Sequence, residues 1–516
     1  MDIFLFLLCA CADAENLRIP LQGSEAFEQR TLPWPVTLGI PISEGTLKAP
    51  IGYRLTDDQG NGVACYARPA GWWRKTDSVQ WVTVQFVSRP GRKYSLELGP
   101  DLEPARPKQP VEVTEKEGSI VVHNGSLRTV FSATGNATLQ KITVGDTEVL
   151  RSRDKPTHYF RDQTGKLHAS RLEGEERLIS VESRSPLHAV VKCTGFYVGP
   201  EGQKFARYTT RYHFYAGIPF FKVSHAFRIL VDTENLQFRE IVYRLPIALS
   251  EEKRIVSFDL SGAFDGKVFA RDWKEATRSL SMAQETFRHY GQTESTFRIH
   301  EVGKDGVSDV LFKGDQGGQY VDVASSEAGI TVGMKWFWQQ FPKEFEVTSE
   351  DVAVHLWSAR GGTLDFRVKG CEEFWGHRQK NVPELDPTEE ERDEEDAGTD
   401  KQEPFDILKF WKAKTNPNRL LNDFLTNPRG YDTAKGLEKS HELWLWPRAK
   451  PATSAQVAEF GRLIEQPVLV IAEPEWNCES GVFGEIGQRD PAIAPEIETL
   501  LDKMLARRRE AADAFG

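Results

Sequence analysis

Short segments in which apolar and polar side chains alternate constrain this chain more than any other feature of its sequence. Residues 93–99, KYSLELG, show the alternation expected of a strand with one buried face. Turn signals such as TDDQGNGV, residues 56–63, separate the apolar runs, and no long stretch between Val111 and about Arg367 has helical periodicity. We therefore predict a mainly β protein.

The length of the chain predicts more than one domain. It has 516 residues, of which 39% are apolar and 27% are charged, the balance of a globular protein with sizeable cores. We place a small N-terminal β-domain at residues 15–100, a proline-rich linker at residues 99–110 and a large antiparallel β-sandwich at residues 111–470.

The negative charge is concentrated in one segment. Between Pro383 and Pro404 lie eleven acidic and two basic residues, and this excess of nine makes up most of the net charge of −11. Such a composition cannot bury apolar surface, so residues 383–404 are predicted to form a solvated, disordered loop. No basic stripe remains elsewhere, which argues against nucleic acid or an anionic membrane as a partner.

The N-terminus has the features of a secretory signal. The apolar run at residues 3–12 is too short to span a bilayer, and a small-x-small cleavage site follows at residues 12–14. We predict a signal peptide at residues 1–14 and a secreted or periplasmic protein. A lipoprotein signal at residues 8–11, or a buried N-terminal strand, is the alternative.

The cysteines and the known cofactor motifs give no support for a metal or a cofactor. After the predicted signal the chain has Cys65, Cys193, Cys371 and Cys478, which lie far apart and show no CxxC spacing. This excludes a zinc ribbon and does not suggest a disulfide scaffold. The sequence contains neither a glycine-rich phosphate loop that opens a helix nor a G-x-S-x-G elbow.

The last segment, residues 471–516, contains one clear helical pattern. A helix is predicted to begin at Pro495. One side of this helix carries a stripe of apolar side chains. Such a stripe is normally covered by another element, and the sequence offers no later element to do so, so we expect these side chains to be exposed. The apolar stripe consists of Ile497, Leu500, Leu501 and Met504.

The stretch KSHELWLWP, residues 439–447, places His441 beside Glu442. A zinc protease helix needs a second histidine four residues further on, and Leu445 stands there. As a strand, the stretch turns Lys439 and His441 to one side, and Glu442 and two tryptophans to the other. We predict no metal at this pair and assign Glu442 and the two tryptophans to strand and interface packing.

Residues 209–230 carry basic and aromatic side chains in strand alternation. Arg211, His213 and Tyr215 share one face, which has the character of a surface or groove. His225 lies among apolar neighbours on its own face and is predicted to be a hydrogen-bonded core histidine.

Residues 333–347, GMKWFWQQFPKEFEV, place aromatic rings beside lysines. Aromatic platforms with charged neighbours suit the C–H faces of sugar rings, so we take Trp336, Trp338 and Lys335 as candidate substrate-binding residues. Ordinary packing in a β core is the alternative.

Six ordered segments resemble one known family, the exo-rhamnogalacturonan lyase, YetA-like family (polysaccharide lyase family 26). In the N-terminal domain these are WPVTLGIPISEGTL, SVQWVTVQFV and KYSLELG. In the central domain they are RYHFYAGIPFFKVSHAFRI, GMKWFWQQFPKEFEV and GLEKSHELWL, in the same order as in the family. The resemblance covers most of residues 30–485.

The resemblance implies a fold and a reaction. It implies an N-terminal small β-barrel of the RIFT type, a large antiparallel β-sandwich, and a C-terminal α/α toroid of which residues 471–516 would be only the start. The implied substrate is an acidic polysaccharide, rhamnogalacturonan I, or an oligosaccharide derived from it. The family toroid would supply further catalytic residues as a missing partner domain, and the acidic run is similar to an insertion.

Lyase chemistry needs basic residues. A lysine, an arginine or a cation must neutralise the uronate carboxylate, and a basic side chain must remove the C5 proton. The candidate catalytic residues are His441 with Lys439, and Arg211 with His213. Two other interpretations remain open: a non-catalytic glycan-binding or scaffold protein, and a glycoside hydrolase, which would need a pair of carboxylates.

Overall fold

The structure is a computed structural model. The predicted signal peptide at residues 1–14, Cys371 and the acidic run at residues 383–404 lie outside the residues that it describes. These described residues are 16–24, 30–134, 137–153, 155–170, 178–260, 267–286, 296–366 and 434–515.

The N-terminal domain contains seven short strands, and an antiparallel five-stranded unit follows it. The strands of the N-terminal domain are β1 (Leu17–Gly23), β2 (Trp34–Pro41), β3 (Gly52–Asp57), β4 (Gly62–Val63), β5 (Cys65–Trp72), β6 (Val79–Ser88) and β7 (Tyr94–Gly99). Those of the five-stranded unit are β8 (Glu112–Lys116), β9 (Ser119–His123), β10 (Leu127–Ser132), β11 (Leu139–Val144) and β12 (Thr147–Arg151).

Seventeen strands build the central sandwich. The first eight are β13 (His158–Asp162), β14 (Leu167–Ser170), β15 (Leu178–Arg184), β16 (His188–Val198), β17 (Lys204–Tyr215), β18 (Phe221–Ile229), β19 (Phe238–Pro246) and β20 (Ile255–Asp259). The others are β21 (Val268–Asp272), β22 (Thr277–Gln284), β23 (Phe297–Gly303), β24 (Ser308–Gly314), β25 (Tyr320–Ala324), β26 (Gly329–Met334), β27 (Lys343–Thr348), β28 (Asp351–Trp357) and β29 (Glu438–Arg448).

The remaining elements lie in the C-terminal part of the chain, apart from a 3₁₀ turn that follows β28. They are the turn Ala359–Gly361, α1 (Ser454–Glu465), β30 (Val470–Ala472), α2 (Pro474–Glu479) and α3 (Pro495–Phe515).

The central strands form two antiparallel layers. The front sheet has the order β15-β16-β17-β18-β29-β26-β25-β20-β21, and the back sheet has the order β14-β13-β19-β28-β27-β22-β23-β24. Alternate side chains of both layers share one apolar core with the sheet β8–β12. In that core Tyr243 of the back sheet donates a hydrogen bond of 3.2 Å to Tyr212 of the front sheet. The predicted mainly β fold with a large antiparallel sandwich is confirmed.

The N-terminal domain differs from the predicted barrel in its hydrogen bonding. Strands β1, β3, β4, β7 and β30 form one sheet, and β2, β5 and β6 form another. Among the described residues no strand ladder joins the two sheets into a closed barrel. The chain passes from β4 to β5 through Ala64 alone, so the two sheets separate at this corner rather than continue as one ladder.

The two domains share a core at their junction. The hairpin between β17 and β18 inserts Ile218 and Phe220 into the N-terminal core. Trp444 of β29 lies beside Trp34 of β2, with ring centroids 4.5 Å apart. The opposite face of β29 packs into the sandwich core through residues such as Leu443. The two tryptophans of β29 therefore do pack at an interface, as the sequence predicted.

Two of the C-terminal helices have clear sequence signals. Helix α1 begins with a capping box formed by Thr453 and Gln456, and its buried side packs on the N-terminal core. Helix α3 begins at Pro495, as predicted. Each side chain of its apolar stripe is about half exposed or more. No helix in the described part of the chain is both long enough and apolar enough to cross a membrane.

Candidate functional site

The outer side of the front sheet, which we call the front face, carries one row of polar residues across five strands. Lys192 pairs with Arg211, Arg211 with Ser224, and Ser224 with Glu442 in successive strands. The backbone N–H of Lys335 then donates to the carbonyl of Glu442 at 3.1 Å. Since neighbouring strands lie about 4.8 Å apart, the row is roughly 19 Å long.

Arg211 is held by an acid on the edge strand. Its Nε and Nη2 donate to the two carboxylate oxygens of Glu182 on β15, at 2.6 and 3.0 Å. Lys192 lies 3.2 Å from the same carboxylate. Hydrogen bonding from Arg211 lowers the pKa of Glu182 to about 2. Glu182 is therefore ionised at neutral pH and pairs with two cations.

A second row of the front face contains His213 and Lys222, which are register partners on β17 and β18. The ammonium of Lys222 lies 3.8 Å from a carboxylate oxygen of Glu442. The indole N–H of Trp444 donates to the other carboxylate oxygen of Glu442 at 2.9 Å. Glu442 thus has a fixed orientation, and Lys222 is held more loosely than Arg211.

His213 and His188 form a neutral pair at neutral pH. Nε2 of His188 lies 3.3 Å from Nδ1 of His213, and the His188 ring stacks on Tyr215 with centroids 4.5 Å apart. Burial, and then the nearby Lys222, lower the pKa of His188 to about 4 and that of His213 to about 3. Both imidazoles are therefore able to accept a proton at neutral pH.

The aromatic segment 333–347 divides between surface and core. Trp336 is 49% exposed, and the Lys335 ammonium lies 4.8 Å from the centroid of its ring. Phe337 is fully buried, and Trp338 packs partly against the sandwich core. Lys335 and Trp336 therefore lie at the end of the front-face row. Trp338 packs against the core, which was the alternative interpretation of this segment.

His441 and Lys439 lie on the opposite side of the front sheet from Arg211 and His213. His441 is 4% exposed because it shares its side of β29 with Leu443, which lies in the core. Burial, followed by the charge of Lys343, lowers its pKa well below the usual range. His441 was a candidate catalytic residue on the basis of the sequence, and the structure places it among buried residues. Lys439 is exposed at the start of the strand.

His225 is the core histidine that the sequence predicted. It is fully buried, and both ring nitrogens have partners: Thr210 at 2.8 Å from Nδ1 and Tyr197 at 3.0 Å from Nε2. Burial lowers its pKa to about 3, so the ring is neutral.

Three basic residues of the front face were not predicted from the sequence: Lys192, Lys222 and His188. The signal that could have found Lys222 was the short β17–β18 connection, because in a hairpin the turn sets the register. Pairing the strands through that turn would have placed Lys222 beside His213. Within the described residues, no group of three or more His, Cys, Asp or Glu side chains is placed to hold a metal ion.

The sandwich also matches a known domain family. Residues 111–282 match the family model of the PcRGLX-like protein central beta sandwich domain. The chain therefore contains the central β-sandwich domain of a PcRGLX-like family, which confirms the expected family at this level. The narrower placement in the YetA-like lyases stays a prediction.

The solved structures to which the chain is similar are distant. An alpha-mannosidase from Enterococcus faecalis V583 aligns with 12% identity and a TM-score of 0.45, over 88% of this chain and 46% of the mannosidase. A putative aldose 1-epimerase from Klebsiella pneumoniae subsp. pneumoniae MGH 78578 aligns with 10% identity and a TM-score of 0.32, over 83% of this chain and 95% of the epimerase. The chain thus spans less than half of the mannosidase. No curated protein matches the chain.

Proposed function

We propose that the front face binds the acidic backbone of rhamnogalacturonan and that the chain acts in its cleavage by β-elimination outside the cytoplasm. The observation that carries this proposal is the charge of the face. Lys192, Arg211, Lys222 and Lys335 give four cations, against the three carboxylates Glu182, Glu442 and Glu465, the last of which accepts from the backbone N–H of Trp336 at 3.0 Å. A surface with excess positive charge and an exposed tryptophan at one end suits a polymer that carries carboxylates along its length.

The cations would act on the uronate carboxylate. Lys222 is the best placed of them, because its contact with Glu442 is long and its side chain is partly exposed. A cation against the carboxylate makes the C5 proton more acidic and stabilises the enolate-like intermediate. Arg211 would assist after exchanging one of its two bonds to Glu182 for a bond to substrate.

His213 would accept the C5 proton. It is neutral at physiological pH, and it is the register partner of Lys222, so a uronate bound at Lys222 would lie near the imidazole. His188, at 3.3 Å, would orient the ring. The imidazole takes the C5 proton, and the electron pair of the C5–H bond forms the new C4–C5 double bond. The C4–O4 bond breaks, its electron pair leaves with O4, and O4 takes a proton from solvent.

A second candidate function is glycan binding without catalysis, and the properties of His213 and Arg211 favour it. A His213 pKa of about 3 makes the imidazole a weak base, and Arg211 is already engaged by Glu182. Hydrolysis has less support on this face. The pKa of Glu182 is lowered to about 2, and Glu465, whose pKa burial raises, has both carboxylate oxygens engaged by Trp336 and Gln339.

The test is incubation of the purified chain with rhamnogalacturonan oligosaccharides. β-Elimination would give an unsaturated uronate, which is seen by its ultraviolet absorbance. Hydrolysis would give new reducing ends without that absorbance. Binding without either product would support the second candidate, and loss of the unsaturated product in His213→Gln with folding retained would support the first.

A further inference from the structure

A cavity of about 400 Å³ lies where the N-terminal domain, the linker and the central sandwich meet, and we call it the junction cavity. It is lined by Tyr53 and Tyr66, on either side of the corner where the two N-terminal sheets separate, by residues 103–107 of the linker, and by residues 185–187 between β15 and β16. Tyr66 is 40% exposed and Arg106 is also exposed, so a molecule from outside the chain is able to reach this cavity.

Backbone hydrogen bonds hold the linker wall of the junction cavity in place at both of its ends. At the first end, the N–H of Tyr53 donates to the carbonyl of Leu102 at 3.2 Å. At the second end, the N–H of Val111 donates to the carbonyl of Pro186 at 2.7 Å. The linker is thus bonded to both domains. The cavity is therefore formed before any ligand enters, which lowers the entropic cost of binding.

Aromatic and apolar side chains make up much of the lining. Tyr53 and Tyr66 contribute rings, and Pro107, Pro186 and Leu187 add apolar walls. A tyrosine ring presents a flat apolar surface with a hydroxyl at one end, which suits the C–H face of a sugar ring. Pockets for small molecules measure about 300–1,000 Å³, so a cavity near the lower end of that range fits a single sugar residue better than a long oligosaccharide.

Two side chains of opposite charge line the same cavity. Within the part of the chain that the structure describes, the side chains of Glu103 and Arg106 take part in no ion pair and no hydrogen bond. The hydroxyl of Ser185, by contrast, is already engaged by the backbone of His188. A guanidinium only donates and a carboxylate only accepts, so Arg106 and Glu103 together complement hydroxyl groups, which do both. Their opposite charges give the cavity no preference for an anion.

We propose that the junction cavity binds one neutral sugar residue, with its ring against Tyr66 and its hydroxyls shared between Arg106 and Glu103. One hydroxyl accepts from the guanidinium and another donates to the carboxylate. A uronate fits less well, because its own carboxylate would meet Glu103. A purely apolar molecule would remove water from two charged groups without replacing their hydrogen bonds. The site does not depend on the function proposed for the front face, because none of the front-face cations or histidines lines this cavity.

The experiment titrates the full chain with methyl rhamnoside and methyl galactoside, with galacturonate as the acidic comparison, and follows binding by ligand-observed NMR. The unmodified chain should bind the neutral glycosides more tightly than galacturonate. Arg106→Gln and Glu103→Gln should each weaken that binding about tenfold, the effect of losing a hydrogen bond to a charged group. Tyr66→Ala should weaken it as well, because the sugar ring loses the surface on which it packs.

Two variants on β5 are the matched controls. Arg68→Gln removes an exposed cation and Trp72→Ala removes an exposed ring, and neither residue lines the cavity. Both should bind the neutral glycosides as the unmodified chain does. Arg106→Gln should also leave the melting temperature unchanged, because the Arg106 side chain has no partner among the described residues, and this separates binding from a structural role.

Three results would overturn the proposal of a neutral-sugar site. The first is that the neutral glycosides do not bind, and the second is that galacturonate binds more tightly than they do. The third is that Arg106→Gln, Glu103→Gln and Tyr66→Ala bind the neutral glycosides no more weakly than the two controls.

Discussion

His188 and His213, on neighbouring strands of the front sheet, lie with Nε2 of the first 3.3 Å from Nδ1 of the second. His188 is buried and His213 is half-buried, and burial together with the nearby cation Lys222 lowers the pKa of both rings. One ring therefore donates to the other without either carrying a charge. This arrangement keeps a proton acceptor among cations that would otherwise repel a protonated imidazole.

The histidine pair should make stability depend on pH. In the unfolded chain both histidines titrate near pH 6.5, whereas in the folded chain the pKa values are about 4 and about 3. The stability associated with the neutral pair is fully present above pH 6.5 and is lost as the pH falls. The free energy of unfolding then decreases by about 1.4 kcal/mol per proton per pH unit. The melting temperature measured between pH 7 and pH 4 should fall less steeply in the double variant His188→Gln/His213→Gln. Equal slopes in the two proteins would show that folding does not lower the pKa values of these rings.

His355 should make stability depend on pH in the opposite direction. The carboxylates of Glu344, Glu346 and Glu240 outweigh burial and raise its pKa to about 9. Its stabilising contribution is therefore complete below pH 6.5 and disappears as the pH rises through 9. The difference in melting temperature between the unmodified chain and His355→Gln should be largest near pH 6 and should shrink by pH 10. A difference that stays constant over this range would contradict the raised pKa.

Glu182→Gln should increase the affinity for an acidic oligosaccharide. The change removes a charge that neutralises Arg211 and Lys192, and it leaves an acceptor of similar shape. We expect an increase of about two- to fivefold in low salt, consistent with an exposed ion pair worth up to about 1 kcal/mol. Isothermal titration at two salt concentrations measures it. An affinity that falls would mean that Glu182 itself contacts the ligand.

Substitution of Trp444 should lower stability, whereas substitution of Trp336 should weaken glycan binding. Trp444 is buried against Trp34, so Trp444→Ala should cost about 3–5 kcal/mol and lower the melting temperature. Trp336 is exposed and contacts Lys335 through its ring, so Trp336→Ala should cost at most about 1 kcal/mol while weakening glycan binding. Thermal unfolding and titration of both variants provide the comparison, and a large loss of stability in Trp336→Ala would remove Trp336 from the proposed site.

The alternation of side chains predicted much of the fold, because the period of a strand is fixed at two residues. It placed Arg211 with His213, and Lys439 with His441, on common faces. It could not tell which side of β29 is the surface, because that strand has a core on each side: Leu443 in one and Trp444 in the other.

The contacts that define the front face could not be predicted from the sequence. Glu182 pairs with Arg211 from an edge strand whose register shifts between Val181 and Ser183, and a bulge of this kind leaves no reliable signal in sequence. The closed N-terminal barrel was inferred from a resemblance to a family. The alternation of side chains predicts the strands of that domain, but it does not predict whether hydrogen bonds join its two sheets into a closed barrel.

The account depends most on the front face as the binding surface for an acidic glycan. Isothermal titration of rhamnogalacturonan oligosaccharides should be performed on the unmodified chain, on Lys222→Ala and on the double variant Arg211→Ala/Lys222→Ala. The matched control is Arg54→Ala, which removes a cation and breaks an ion pair with Glu97 in the N-terminal domain. We predict that Lys222→Ala weakens binding about tenfold and the double variant more, as expected for charged contacts, while Arg54→Ala has no effect. Equal affinity in all four proteins, or no binding by the unmodified chain at low salt, would contradict the proposed function.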